Sequence, residues 1–455
     1  MEDPAEVRRR VKRIFELRNI NLKPDAVTCL ADHLKDKTLD EMKEYSRKLV
    51  DIFIEKKIDD RPIDVELLKN CLKKDSGKKN NFEVINSVDW KLESSNLKKI
   101  EFMDALRMRF MNVKTRIESI SLTSIELLYS RTNVSVSILG MLFKEKSDRY
   151  FIEDDTGSLR LRMGKAVFEE GIFFEGGIYE FQGMYNNGIL NVQEIRLPKL
   201  RPETSKIKNS GNWSGSDSVV ILSDVWLDDP SVLKMIYKIL DGFSHSSPYS
   251  FIFCGSFLSP ENETKALNIA KKGFEHISNI FREFSESYRQ TQFVFVPSAS
   301  DFPDSTVLPR DELPFKDMYF SDMPNVHFAS NPSKFLCRDQ TIVVLRDDVI
   351  EDICRNAIKA PVDGTKVAKV FCETILSQRH FSPLPVHLAP KILHKDHCFS
   401  LCPLPDVLIL ADQFETFFFQ DSGCTILNPG SFARSSFEFL VYYPASRKVE
   451  QSSCT

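Results

Sequence analysis

The sequence predicts a multidomain α/β protein of three modules, and changes of hydrophobic period along the chain carry that reading. Apolar residues recur at helical spacing over 5–73. They alternate with period two over 132–197, and from 218 onward they form short continuous runs separated by amphipathic helices. The last pattern is that of buried strands in a layered α/β sheet. A chain of 455 residues is long enough for about two to four domains, each with its own core.

Composition narrows the function classes. Hydrophobic residues make up 42%, charged residues 28%, and the formal net charge is −4. Whole-protein electrostatic capture of nucleic acid is therefore not expected, and any such contact needs a local basic patch. The 10 cysteines show no compact disulfide framework, which predicts free thiols in a reducing compartment. The start MEDPAEVRRR has no apolar leader core, and no apolar run approaches the ~20 residues of a membrane helix. An intracellular, soluble protein without membrane contact is expected. Lys73-Lys74 and Lys78-Lys79 fit either a nuclear import signal or a solvated linker.

Residues 1–75 read as a small helical module. Val7, Val11, Ile14 and Phe15 form one stripe, and Pro24 opens a second with Val27, Leu30, Ala31 and Leu34. Thr38-Leu-Asp-Glu41 is a capping box ahead of Met42, Tyr45, Leu49 and Ile52; Val65, Leu68 and Leu72 mark a fourth helix. The run Arg8-Arg9-Arg10 with Lys12-Arg13 is interleaved with acids, as a solvated helix face or a nucleic-acid contact would be. Residues 76–98 are expected to be a linker anchored around Phe82, Val84 and Ile85.

Residues 99–200 predict a helix and then a barrel. Phe102, Leu106, Phe110 and Val113 share a helix face. Val134, Val136 and Ile138 begin five short strands, with a Gly157 turn and an Asn186-Asn187-Gly188 hinge. This spacing predicts a small barrel of the OB type. Such barrels stack single-stranded bases on aromatics, but Tyr150, Phe151, Phe173, Phe174 and Tyr179 lack a dense Lys/Arg stripe, so packing or protein docking competes with that role. A Pro/Ser/Gly-rich linker follows at 201–217. The domain over 218–455 predicts strands at 219–222, 249–254, 293–296, 341–345, 407–410 and 437–443. Its first helix has Asp229 as N-cap and Pro230 at N1.

The ends of these strands carry a set of motifs: Ser223-Asp224-Val225-Trp226, Gly255-Ser256, Pro297-Ser298-Ala299-Ser300-Asp301, Ala411-Asp412-Gln413-Phe414 and Asn428-Pro429-Gly430-Ser431. Their order resembles that of the calcineurin-like metallophosphoesterases, whose two divalent ions need carboxylates and imidazoles from several strand ends. The resemblance implies a dismantled site. Trp226 stands at a His ligand position and Ser256 at the bridging Asp. Ala299 and Ser300 fall where an Asn ligand and a catalytic His belong, and Asp412 and Phe414 where the last His pair belongs. Asp224, Asp301 and His380 remain, too few for a metal pair. An inactive α/β sandwich with no metal and no cofactor is the expectation, with Asp224 accepting hydrogen bonds from its loop or the next helix N-terminus.

A small barrel ahead of such a domain resembles the B subunits of eukaryotic replicative DNA polymerases. The stretches Phe251-Ile-Phe-Cys-Gly255, Phe293-Val-Phe-Val-Pro297 and Thr374-Ile-Leu-Ser-Gln-Arg-His380 point to the epsilon branch, as does the extra N-terminal module. That resemblance implies a non-catalytic scaffold in the nucleus. Its partners would be the C-terminal metal-binding region of the catalytic subunit of DNA polymerase epsilon, the replicative helicase through GINS by way of an AAA+ small-lobe-like N-terminal module, small histone-fold polymerase subunits, and DNA through the complex.

The chain is alternatively a divergent nuclease or phosphodiesterase recruiting His380, His387 and Asp412, a B subunit of another replicative polymerase, or a single-stranded nucleic-acid-binding module. His394, His397, Cys398 and Cys402 have zinc-ligand chemistry, but they crowd into nine residues ahead of a strand. Asp347-Asp348 with Glu351-Asp352 reads as first-turn acids of a helix or as a cation site.

Overall fold

The computed structural model describes residues 23, 25–28, 30, 82–87, 102–118, 121–146, 149–201, 213–261, 266–302 and 307–454. The chain divides into two units, Met1–Asn81 and Phe82–Thr455. Of the first, a helical stretch at 25–28 with buried Ala26, Val27 and Leu30 is described. The rest of the expected helical module lies outside the described residues, as do the Arg8–Arg13 run and the Lys73 and Lys78 clusters.

The second unit begins with β1 (Phe82–Asn86), where the sequence predicted an anchored linker. It pairs antiparallel with residues 333–337, and Phe82 packs its ring among Tyr249, His327 and Phe335. Helix α1 (Phe102–Lys114) then lays Leu106, Phe110 and Val113 on Leu139, Met141 and Ile178 of the barrel; the Phe102 side chain lies outside the described set. The barrel strands are β2 (Val134–Lys146), β3 (Arg149–Glu153), β4 (Ser158–Arg162), β5 (Val167–Phe168), β7 (Ile178–Asn186) and β8 (Ile189–Arg196), and the short β6 (Phe173–Phe174) between β5 and β7 stands outside their sheet. Their order, β4-β3-β2-β7-β8-β5, is closed by a parallel β4–β8 pairing that sets Leu161 opposite Leu190, which makes this the expected OB-type barrel. Asn187 and Gly188 both adopt positive φ in the β7–β8 turn, as an Asn-Gly hairpin requires. The stacking reading fails at three of its five aromatics. Phe173, Phe174 and Tyr179 are wholly buried, the Tyr179 hydroxyl tied to the backbone of Ile172 and Phe174.

The larger domain is a four-layer sandwich. Its elements are β9 (Val219–Ser223), α2 (Pro230–Phe243), β10 (Ser250–Cys254), α3 (Ala266–Glu283), β11 (Gln292–Val296), α4 (Lys316–Tyr319), β12 (Val326–Phe328), β13 (Ser333–Cys337), β14 (Gln340–Leu345), α5 (Val349–Arg355), β15 (Ala357–Lys359), α6 (Val367–Gln378), β16 (Val407–Leu410), β17 (Phe417–Asp421), β18 (Cys424–Asn428), β19 (Glu438–Tyr443) and β20 (Lys448–Ser453). One sheet runs β12-β11-β10-β9-β19-β20, the other β1-β13-β14-β16-β18-β17. Because β9, β10, β11, β14 and β16 are buried on both faces, their apolar runs serve two cores each. Ile221, Ile252 and Val294 meet Ile342, Val344 and Ile409 between the sheets. Phe251, Phe253 and Phe295 pack outward on α2 and α3, and Leu345 and Leu408 pack outward on α5 and α6. Asp229 caps α2 by accepting from Ser231 N at 2.8 Å, with Pro230 at the first turn, as predicted.

Barrel and sandwich are interlocked. Strand β6 pairs with β15, and Ile172 and Phe174 enter the core beneath α6. Gln378 at the end of α6 satisfies both backbone groups of Ile178, accepting from its N at 2.7 Å and donating to its O at 2.9 Å. Arg109 of α1 reaches the sandwich with a two-pronged ion pair to buried Asp396 and a 2.9 Å bond to Pro383 O.

Candidate functional site

The C-terminal ends of β9, β10, β11 and β14 surround a cavity of about 240 Å³, the place where open α/β sheets present ligand sites. Asp224, Trp226, Ser256, Ala299 and Ser300 all line it, so the strand-end motifs converge as their order implied. Asp224 turns with φ +55, and its Oδ1 accepts Ser256 N at 3.2 Å, the loop bond expected of it. Its main partner, however, was not legible in the sequence.

That partner is Arg346, immediately after β14. Its guanidinium donates to Asp224 Oδ1 at 2.8 Å, to Asp348 Oδ1 at 3.0 Å and to the carbonyl of Gly255. Asn331 holds the Arg346 backbone from both sides, accepting from its N at 3.1 Å and donating to its O at 2.6 Å. The arginine is buried and bonded at every branch of its head group. A fixed guanidinium thus sits on the carboxylate that would lead metal coordination. A divalent ion there would face a like charge at contact range. Among the described residues no group of three or more His, Cys, Asp or Glu side chains is arranged to hold a metal ion. The residues present do not fit the two-metal centre of the phosphoesterase resemblance.

The remaining predicted positions have taken structural work. Asp301 is buried, and its two oxygens accept Phe257 N and Ser298 N at 2.7 Å each; burial pushes its carboxyl up against those bonds. Arg310 pins the same loop through the carbonyls of Ser298, Ala299 and Asp301. Asp412 accepts Ile350 N and Phe414 N, and burial raises it to about 7. Phe414 packs on the core beneath α6. Asn428 of the intact Asn-Pro-Gly-Ser motif bonds Asp412 N and the carbonyls of Phe414 and Glu415. Gly430, at φ +68, leaves no room for a Cβ against Thr416.

His380 is displaced from the site. Arg379 closes α6 in the left-handed conformation, and His380 then lies at the α1 junction, 3.3 Å from Asp396. Burial, aided by Arg109, drops its pKa to about 3. Opposing its own burial, Asp396 is held well below the usual carboxylate range by His380 and Arg109. The cavity also gains Arg346 and Arg434, which carried no signal in the sequence; the Arg434 guanidinium lies 5.6 Å over the Trp226 ring.

The closed barrel locked to a four-layer sandwich with a rebuilt strand-end site is an architecture whose kinship is given by comparison with known proteins. The profile of the DNA polymerase alpha/epsilon B-subunit family matches residues 219–418, and that of the "DNA polymerase epsilon subunit 2-like, OB-fold domain" matches 93–199. The probable DNA polymerase epsilon subunit 2 of Caenorhabditis elegans is 32% identical over 99% of this chain and 96% of its own length. The Homo sapiens subunit 2 is 30% identical over 72% and 67%. The chain belongs to the DNA polymerase epsilon subunit 2 family. Among solved structures, a dimetal phosphatase from Danio rerio shows 11% identity and a TM-score of 0.29 over 50% of this chain and 93% of that one.

Proposed function

We propose that this chain is a non-catalytic accessory and scaffold subunit of a nuclear DNA polymerase epsilon holoenzyme. It binds the C-terminal metal-binding region of the catalytic subunit and joins it, through residues 1–75, to the replicative helicase by way of GINS. The observation that carries the non-catalytic part is Arg346, which occupies the cation position beside Asp224. The scaffold part is supported by the interlocking of barrel and sandwich through the β6–β15 pairing and the Arg109–Asp396 pair. Contact with DNA and with small histone-fold subunits is secondary in this reading and comes through the assembly. No helix among the described residues is long and apolar enough to cross a membrane.

Co-expression with the polymerase catalytic subunit, followed by deletion of residues 1–75, tests the proposal. Polymerase binding is expected to survive the deletion while GINS association is lost. Failure of the full chain to co-purify with the catalytic subunit would refute it.

A further inference from the structure

The strand-end cavity carries more carboxylate than cation. Asp224, Asp347 and Asp348 line it against Arg346 and Arg434. Arg346 is consumed internally by Asp224, Asp348 and Gly255. Arg434 is held at the rim, donating to Gln413 Oε1 at 2.6 Å and lying over Trp226. One carboxylate oxygen, Oδ2 of Asp224, has no protein hydrogen-bond partner although its side chain is only 1% exposed. Burial, and after it the charge of Asp348, pushes Asp347 up to about 6.

The shape of the site selects among cations. The carboxylates do not form a metal-ligand group, and a cavity of about 240 Å³ is far roomier than a bare ion needs. The hydroxyls of Ser256, Ser298 and Ser300 lie within 3.2 Å of one another on its wall and add neutral acceptors. Spread carboxylates with hydroxyl acceptors match a flat cation with several N–H donors.

We propose that the cavity receives the guanidinium of an arginine presented by a partner polypeptide, with Asp347, Asp348 and the buried, unpaired oxygen of Asp224 as its acceptors. The site that in the phosphoesterase resemblance holds metal is thus converted twice: one cation is built in as Arg346, and a second is supplied by the partner.

The test uses the full chain at low ionic strength, titrated with N-acetyl-arginine methylamide while Trp226 fluorescence is followed against a Trp226→Phe background. Saturable binding is expected, roughly tenfold weaker in Asp348→Asn, and absent for the citrulline analogue, which keeps the shape without the charge. Asp348 is 41% exposed and Asn retains its Oδ1 acceptor, so the variant is expected to fold. Asp347→Asn, expected to weaken binding likewise, serves as the second variant if melting shows otherwise. An equal response to citrulline, unchanged affinity in both variants, no saturation, or stoichiometric capture of Mn²⁺ alone would each overturn the proposal. None of these outcomes depends on whether the chain co-purifies with a polymerase.

Discussion

Nη2 of Arg346 lies 2.8 Å from Oδ1 of Asp224, with the two side chains only 3% and 1% exposed. A buried pair of this kind stabilises little compared with an apolar replacement of both partners, but loss of one partner leaves an uncompensated charge. Arg346→Met is therefore expected to destabilise the sandwich by about 3–5 kcal/mol. Adding Asp224→Asn to the same chain is expected to restore a good part of that loss. Denaturant melts of the two single variants and the double variant check the coupling.

A second buried pair governs the junction. Arg109 joins α1 to Asp396 with little solvent to screen it. Arg109→Met is expected to lower amide protection over 102–114 by about 3 kcal/mol or more, while protection at 219–223 and 250–254 stays as in the parent. Hydrogen-exchange mass spectrometry reads both regions at once.

Gln378 makes a narrower prediction. Its side chain is the partner of both the N and the O of Ile178. Gln378→Leu strands two buried backbone groups and is expected to cost about 1–3 kcal/mol. The effect should appear as faster limited proteolysis at the barrel seam, with the barrel strands themselves intact.

Asp347 gives the pH dependence. Burial and Asp348 raise its folded pKa to about 6 from an ordinary 3.8. A raised carboxyl penalises the folded state once it ionises, so the penalty is absent below about pH 3.8, grows between 3.8 and 6, and is complete above 6. Asp347→Asn keeps the acceptor for Asp348 N and removes the charge. It is expected to be neutral at pH 4 and stabilising at pH 8, by roughly 1–2 kcal/mol once solvent screening is allowed for. His380, shifted the opposite way to about 3, is common to both proteins and cancels in the difference. Thermal melts at the two pH values check it.

The central strands were legible because burial on both faces demands unbroken apolar runs, as in 219–223, 250–254 and 292–296. The outer hairpin strands were not. β20 (KVEQSS) alternates polar residues with a single buried Val449, and β17 is half open to solvent with Phe418 55% exposed. The Ser422-Gly423 turn, with both residues at positive φ, is the local signal that marks the β17–β18 hairpin. At the site, the absences could be read position by position, because each missing ligand has a fixed place in its motif. The replacement could not. Arg346 lies 122 residues from Asp224, and in Leu345-Arg346-Asp347-Asp348 it looks like any basic residue at a strand end. His380 was misplaced for the same reason: its direction is set by the left-handed turn at Arg379 and by a helix some 270 residues earlier in the chain.

The claim that the Arg346 guanidinium has taken the place of a metal pair is tested most directly by manganese content and phosphodiester hydrolysis on one preparation. The pure chain is incubated with Mn²⁺, desalted, assayed for bound metal, and given bis-p-nitrophenyl phosphate. The account predicts substoichiometric metal and no turnover above buffer. Stoichiometric manganese, with turnover abolished by Asp224→Ala, would contradict it.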